Sequence, residues 1–212
     1  MIFTGCLITD PPQFNPPRHT RPFLIEATAD PDPKSILTVD TQLLPTTQSA
    51  EEFSAEVVSQ DDPSSTTMST DFQQVTGWLY IDLGFDQGDG KQPYRLAFPG
   101  SSIPAGGTLE QTGRRIRATW RPGSQIVDPG CHTATLIVSH RFDDIPCPVC
   151  DDDFSSITWQ ILRCDRSADG CKELPVHGDH SCEGLTNSCA VVRAKLGAAA
   201  LTCSEHADAG AP

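Results

Sequence analysis

The cysteines of this chain are unevenly placed. Cys6 stands alone near the start, none occurs from Leu7 to Gly130, and eight fall between Cys131 and Cys203. An even number crowded into a short stretch predicts stapled structure formed in an oxidising compartment. At 212 residues the chain can bury one full core with a small appendix. Its 18 prolines and 16 glycines argue against a helical bundle and for many turns. A net charge of −13 excludes general nucleic-acid binding, which needs a basic surface to neutralise phosphates. The same charge disfavours attraction to anionic lipid headgroups. No stretch reaches the roughly 18 consecutive apolar residues of a transmembrane helix.

Short alternating runs separated by turn signals fill the chain from Phe23 to Cys164. Phe23, Ile25 and Ala27 alternate with polar neighbours, and Ile36 to Val39 is a second run. Phe53, Ala55 and Val57 form one face of a third. In the longest, Val75 to Phe85, the residues Leu79, Ile81, Leu83 and Phe85 face one way and Trp78, Tyr80 and Asp82 the other. Tyr94 to Phe98 follows the turn Asp86-Gln87-Gly88-Asp89-Gly90. Ile116, Ala118 and Trp120 alternate with Arg115, Arg117 and Arg121, and Cys131–Phe142 and Ser155–Cys164 complete the set. Period-two runs at this spacing predict an all-β fold, an antiparallel β-sandwich.

The segment Asp128-Pro129-Gly130-Cys131-His132-Thr133-Ala134-Thr135-Leu136-Ile137-Val138-Ser139 resembles the penultimate-strand signature of immunoglobulin-like sandwiches of the PKD and related bacterial surface type. That signature reads Asp-x-Gly-x-Tyr-x-Val-x-Leu-x-Val; here His132 replaces the aromatic and Cys131 is an addition. The resemblance implies an immunoglobulin-like sandwich over residues 23–164. It implies a fold and dictates no function.

If the last two runs pair antiparallel, a register summing to 295 sets His132 opposite Arg163, Ala134 opposite Ile161, Leu136 opposite Trp159 and Val138 opposite Ile157. That register turns the apolar residues to the core and predicts a Cys131–Cys164 disulfide on the outer face. The connecting loop carries Cys147-Pro148-Val149-Cys150 at its tip, flanked by Asp143, Asp144 and Asp151 to Asp153. Beyond it, residues 165–203 read as a small appendix. Cys171, Cys182, Cys189 and Cys203 staple it by two disulfides, because it has too little apolar mass to fold alone. Ala190 to Leu201 has moderate helix propensity, weakened by Gly197. Residues 204–212 form a disordered tail.

At the other end, residues 10–22 carry five prolines and read as a semi-rigid spacer. Residues 1–22 together form a leader remnant and tether. Phe3-Thr4-Gly5-Cys6 resembles the lipobox at which bacterial lipoproteins are cleaved and acylated. A full signal would need a basic region and a longer apolar stretch before Cys6, so Met1-Ile2-Phe3 reads as the end of such a segment. Lipidation of Cys6 also leaves eight cysteines to pair. Leu7 is not the aspartate that favours inner-membrane retention in enterobacterial-type lipoproteins, so this resemblance implies the outer membrane.

The sharpest chemical motif is Cys147-x-x-Cys150. This spacing serves disulfide exchange in a thioredoxin-like context. Here no βαβ pattern surrounds it and the flanking carboxylates disfavour a thiolate, so a structural loop staple is expected. An alternative joins Cys147 and Cys150 with His177 and His180, or with Cys164 and Cys171, around a metal, or uses the thiols for redox chemistry. The loop Asp86-x-Gly88-Asp89-Gly90 lacks the regular carboxylates and terminal glutamate of an EF-hand and reads as a hairpin connection. His132 faces the expected core as a hydrogen-bonded structural histidine. The stripe Arg115, Arg117 and Arg121 pairs with neighbouring carboxylates. No nucleophile elbow, zinc-protease helix or phosphate loop occurs. The sequence thus predicts a non-enzymatic envelope module without a cofactor. Its partner is an unidentified protein or envelope component, and it reaches the membrane only through Cys6.

Overall fold

Alternation produces strands throughout the residues that the computed structural model describes, namely 20–40, 50–59, 74–84, 95–104, 113–121, 130–142, 147–150, 152–164 and 189–196. In chain order these are β1 (Phe23–Asp30), β2 (Ile36–Asp40), β3 (Glu51–Val58), β4 (Gln74–Ile81), β5 (Arg95–Pro104), β6 (Arg114–Trp120), β7 (Gly130–Ser139) and β8 (Phe154–Cys164). A helix, α1 (Cys189–Leu196), follows. Among the described residues the strands make two sheets, ordered β1-β3-β6 and β2-β8-β7-β4-β5. The first, third and sixth strands share one layer, and the fourth, seventh and eighth are adjacent in the other. This is the arrangement of an immunoglobulin-like sandwich, as expected.

The core lies between the sheets. Phe53, Ala55 and Val57 of β3 and Ile116, Ala118 and Trp120 of β6 face Val75, Leu79 and Ile81 of β4, Leu136 and Val138 of β7, and Trp159 of β8. Full burial of each larger aliphatic side chain contributes about 1.5–3 kcal/mol. The Phe53 and Trp159 rings meet with centroids 5.0 Å apart and planes inclined at 60°. An aromatic pair therefore fills the centre, where antibody domains place a tryptophan against a disulfide.

Four details correct the sequence reading. The β7–β8 register sums to 293 rather than 295, setting His132 opposite Ile161, Ala134 opposite Trp159, Leu136 opposite Ile157 and Val138 opposite Ser155. A slip of two residues leaves every side chain on its own face, so alternation alone cannot choose between the registers. Size complementarity does: small Ala134 sits beside the largest core ring. Cys131 consequently stands opposite Leu162 and not directly opposite Cys164, which corrects the register and leaves the expected Cys131–Cys164 pairing outside what the described residues decide. Cys131 is disulfide-bonded, while the Cys164 side chain lies outside the described residues.

In β1 the buried residue is Leu24, and Phe23 is 54% exposed. A bulge between Ile25 and Asp30 shifts the register, so that Ala29 joins the core after Leu24. The chain then crosses to the other layer through a cis Asp30–Pro31 bond and a turn in which the Ser35 amide donates to the Asp32 carbonyl at 3.0 Å. There β2 runs parallel to β8, the one parallel pair among the described strands. Finally, Asp82 has φ 54°, which breaks the alternation after β4. Leu83 therefore packs with Tyr80 and Ile137 on the opposite face from Leu79 and Ile81.

Candidate functional site

The outer face of the five-stranded sheet carries a second apolar cluster, and on it the chain builds a third layer. Tyr80, Leu83 and Ile137 are buried there with Cys147, Cys189 and Val192, and Trp78, Leu96, Phe142 and Phe154 pack around them. The Trp78 and Phe142 rings stack at 5.2 Å, and Trp78 lies 6.2 Å from Tyr80. Among the described residues two segments cover this face: the loop between β7 and β8, and α1.

A disulfide joins Cys147 of the loop to Cys189 of α1, with Cα atoms 5.7 Å apart. Cys147 and Cys189 are 0% and 5% exposed, so the bridge is sealed from water. Arg193, one turn further along α1, is also buried, and its Nη2 donates to the carbonyls of Pro148 and Val149, the two residues between Cys147 and Cys150. Guanidinium suits this role because it presents several donors in one rigid fork. The loop is folded back on itself as well. Phe142 bridges to Pro148, and the Val149 amide donates to the Arg141 carbonyl at 3.0 Å.

Two histidine–aspartate pairs brace the ends of β7. At its start, His132 Nδ1–H donates to Asp82 Oδ2 at 2.8 Å, while Asp82 Oδ1 accepts the Thr133 amide at 3.2 Å. His132 is thus hydrogen-bonded at the sheet, as the sequence led us to expect. At its end, His140 Nδ1–H donates to Asp153 Oδ1 at 2.8 Å across the neck of the loop. Ser139 Oγ lies 3.5 Å from Asp153 Oδ2 and donates to the Arg141 carbonyl at 3.1 Å. Serine and imidazole thus both address one carboxylate, and the His140 side chain is fully buried. These bonds clamp the end of β7 to the start of β8, and the serine bonds the carboxylate side of the pair and a backbone carbonyl.

The remaining candidates are placed as follows. The staple expected at Cys147-x-x-Cys150 runs from Cys147 to α1, not within the loop. Cys150 is disulfide-bonded too. Cys189 pairs with the sandwich loop, so the expectation that residues 165–203 are stapled only among themselves is corrected. The alternative metal or redox set is likewise not assembled, because Cys147 is consumed by its bridge and Cys150 is oxidised. No group of metal-ligating side chains occurs among the described residues. Cys6, Cys171, Cys182, Cys203, His177, His180, the 86–90 loop, Asp143, Asp144 and Asp151 lie outside them. Arg117 pairs with Glu52 at 3.1 Å, as expected, and Arg115 donates instead to Ser54 Oγ at 2.9 Å. A cleft of about 330 Å³ between β5 and β6 is lined, among the described residues, by Ala97, Phe98, Thr119 and Arg121, with no acid–base pair among these four. No described helix is long and apolar enough to cross a membrane.

Sequence reasoning missed Arg193 and both carboxylate partners. Arg193 was noted only as part of an alanine-rich stretch of moderate helix propensity. The signal that was present is the helical spacing of Cys189, Val192 and Leu196, which marks one face of α1 as apolar. Fold and site together define an immunoglobulin-like sandwich with a disulfide-locked outer cap. No protein-family model, curated protein or solved structure matches the chain.

Proposed function

We propose that this chain is a non-enzymatic envelope module, anchored to the outer membrane through lipidated Cys6, that serves an interaction or structural role toward a protein or other envelope component. The observation that carries the reading is the closed Cys147–Cys189 bridge, with Cys131 and Cys150 oxidised as well. Disulfides of this kind persist in oxidising compartments and are rare in the cytosol. The lipobox-like Phe3-Thr4-Gly5-Cys6 and the PKD-type pattern at Asp128–Ser139 support the same address and class. The metal-binding or thiol-redox alternative requires Cys147 and Cys150 as thiolates, and their oxidised state opposes it.

The test is to express the protein from its own gene, fractionate the cells and repeat with Cys6→Ala. The native protein partitions into detergent with an acyl mass on Cys6, and Cys6→Ala moves to the soluble fraction with its thermal unfolding unchanged. Recovery of the native protein from the cytosol with titratable thiols would contradict the proposal.

A further inference from the structure

We infer that α1 is a redox-gated strap, docked on the aromatic outer face of the five-stranded sheet only while the Cys147–Cys189 bridge is closed. The helix spans eight residues, and isolated helices shorter than about 12–15 residues are marginal in water. Its first turn carries no acidic residue to offset the helix dipole. Among its described side chains, Cys189, Val192 and Arg193 are buried and Leu196 is 39% exposed. Cys189 is the bridge itself, so among the described side chains Val192 is the buried apolar contact that does not depend on a covalent bond. The Arg193 guanidinium donates to the carbonyls of Pro148 and Val149, so these bonds lie at the same junction as the bridge.

Without the bridge, α1 is the end of a chain segment 42 residues removed from its partner cysteine. Loop-closure entropy then opposes docking. Release removes Val192 and Cys189 from the buried cluster of Tyr80, Leu83 and Ile137 and enlarges the exposure of the partly buried Trp78, Leu96, Phe142 and Phe154 around it. Closure is a thiol–disulfide exchange with a disulfide-bearing oxidant. The Cys147 and Cys189 thiols lose two electrons and two protons as their Sγ–Sγ bond forms. The oxidant's S–S bond breaks, and its two thiols take up those electrons and protons.

The sandwich does not need the strap: its core lies on the other face of the sheet and shares no buried residue with the strap's cluster. The experiment is hydrogen exchange on the full chain, native against the double variant Cys147→Ser, Cys189→Ser. The expected result is loss of protection at 189–196, to the rate of an unstructured peptide, with new tryptic cuts after Arg193 and Lys195, while β3, β4, β6 and β7 keep their protection. Retained protection in α1 overturns the inference. So does collapse of α1 and the sandwich together, which would make the bridge a part of the whole fold. Neither outcome bears on the membrane anchor, which Cys6→Ala reads separately.

Discussion

At φ 54° Asp82 occupies the left-handed region, where a side chain with a Cβ is normally disfavoured and aspartate is tolerated through local hydrogen bonding. Its carboxylate meets both His132 and the Thr133 amide. Asp82→Ala removes both bonds and retains the backbone strain, so unfolding stability should fall by about 2–4 kcal/mol, read from the urea midpoint. Asp82→Asn keeps an acceptor and the conformational tolerance and should lose only about 1 kcal/mol. Gly77 has a different reason to be small. A methyl group there would overlap Cδ1 of Ile116 and stand 3.4 Å from Cγ1 of Val138, both in the filled core. Gly77→Ala should cost about 1–3 kcal/mol in the same measurement. Neither role was legible in the sequence. Asp82 read as one more outward residue of an alternating strand, and Gly77 depends on what the opposite sheet places above it.

Among the elements, β3 and β6 were legible in their inward faces, because Phe53/Ala55/Val57 and Ile116/Ala118/Trp120 alternate without interruption. β1 was legible as a strand but not in its inward face, because a bulge reverses the parity partway along. The β7–β8 pair was legible in its faces and wrong by two residues in register. That difference rests on side-chain volume and on the His140–Asp153 clamp, which periodicity does not encode. The clamp and Arg193 between them hold the connecting loop. Replacing Arg193 with leucine leaves two loop carbonyls without this donor, at a cost of about 1–3 kcal/mol to local order. The Val149 amide, bonded to the Arg141 carbonyl, should exchange faster. Arg193→Lys should not restore its protection, since a single ammonium does not reproduce the fork.

At the scale of the whole molecule, the two-layer sandwich followed from alternation and turns, and the third layer did not. Cysteine spacing announced that the second half is cross-linked but carries no information about which thiols meet. Pairing is decided by the fold, which brings a loop of the sandwich and a helix from far along the chain onto one aromatic face. The most direct test of the account is a peptide map of the purified, non-reduced protein. It should recover the peptide containing Cys147 covalently joined to the peptide containing Cys189, with neither residue open to alkylation. A map that instead links Cys147 to Cys150, or finds both alkylated as thiols, would contradict it.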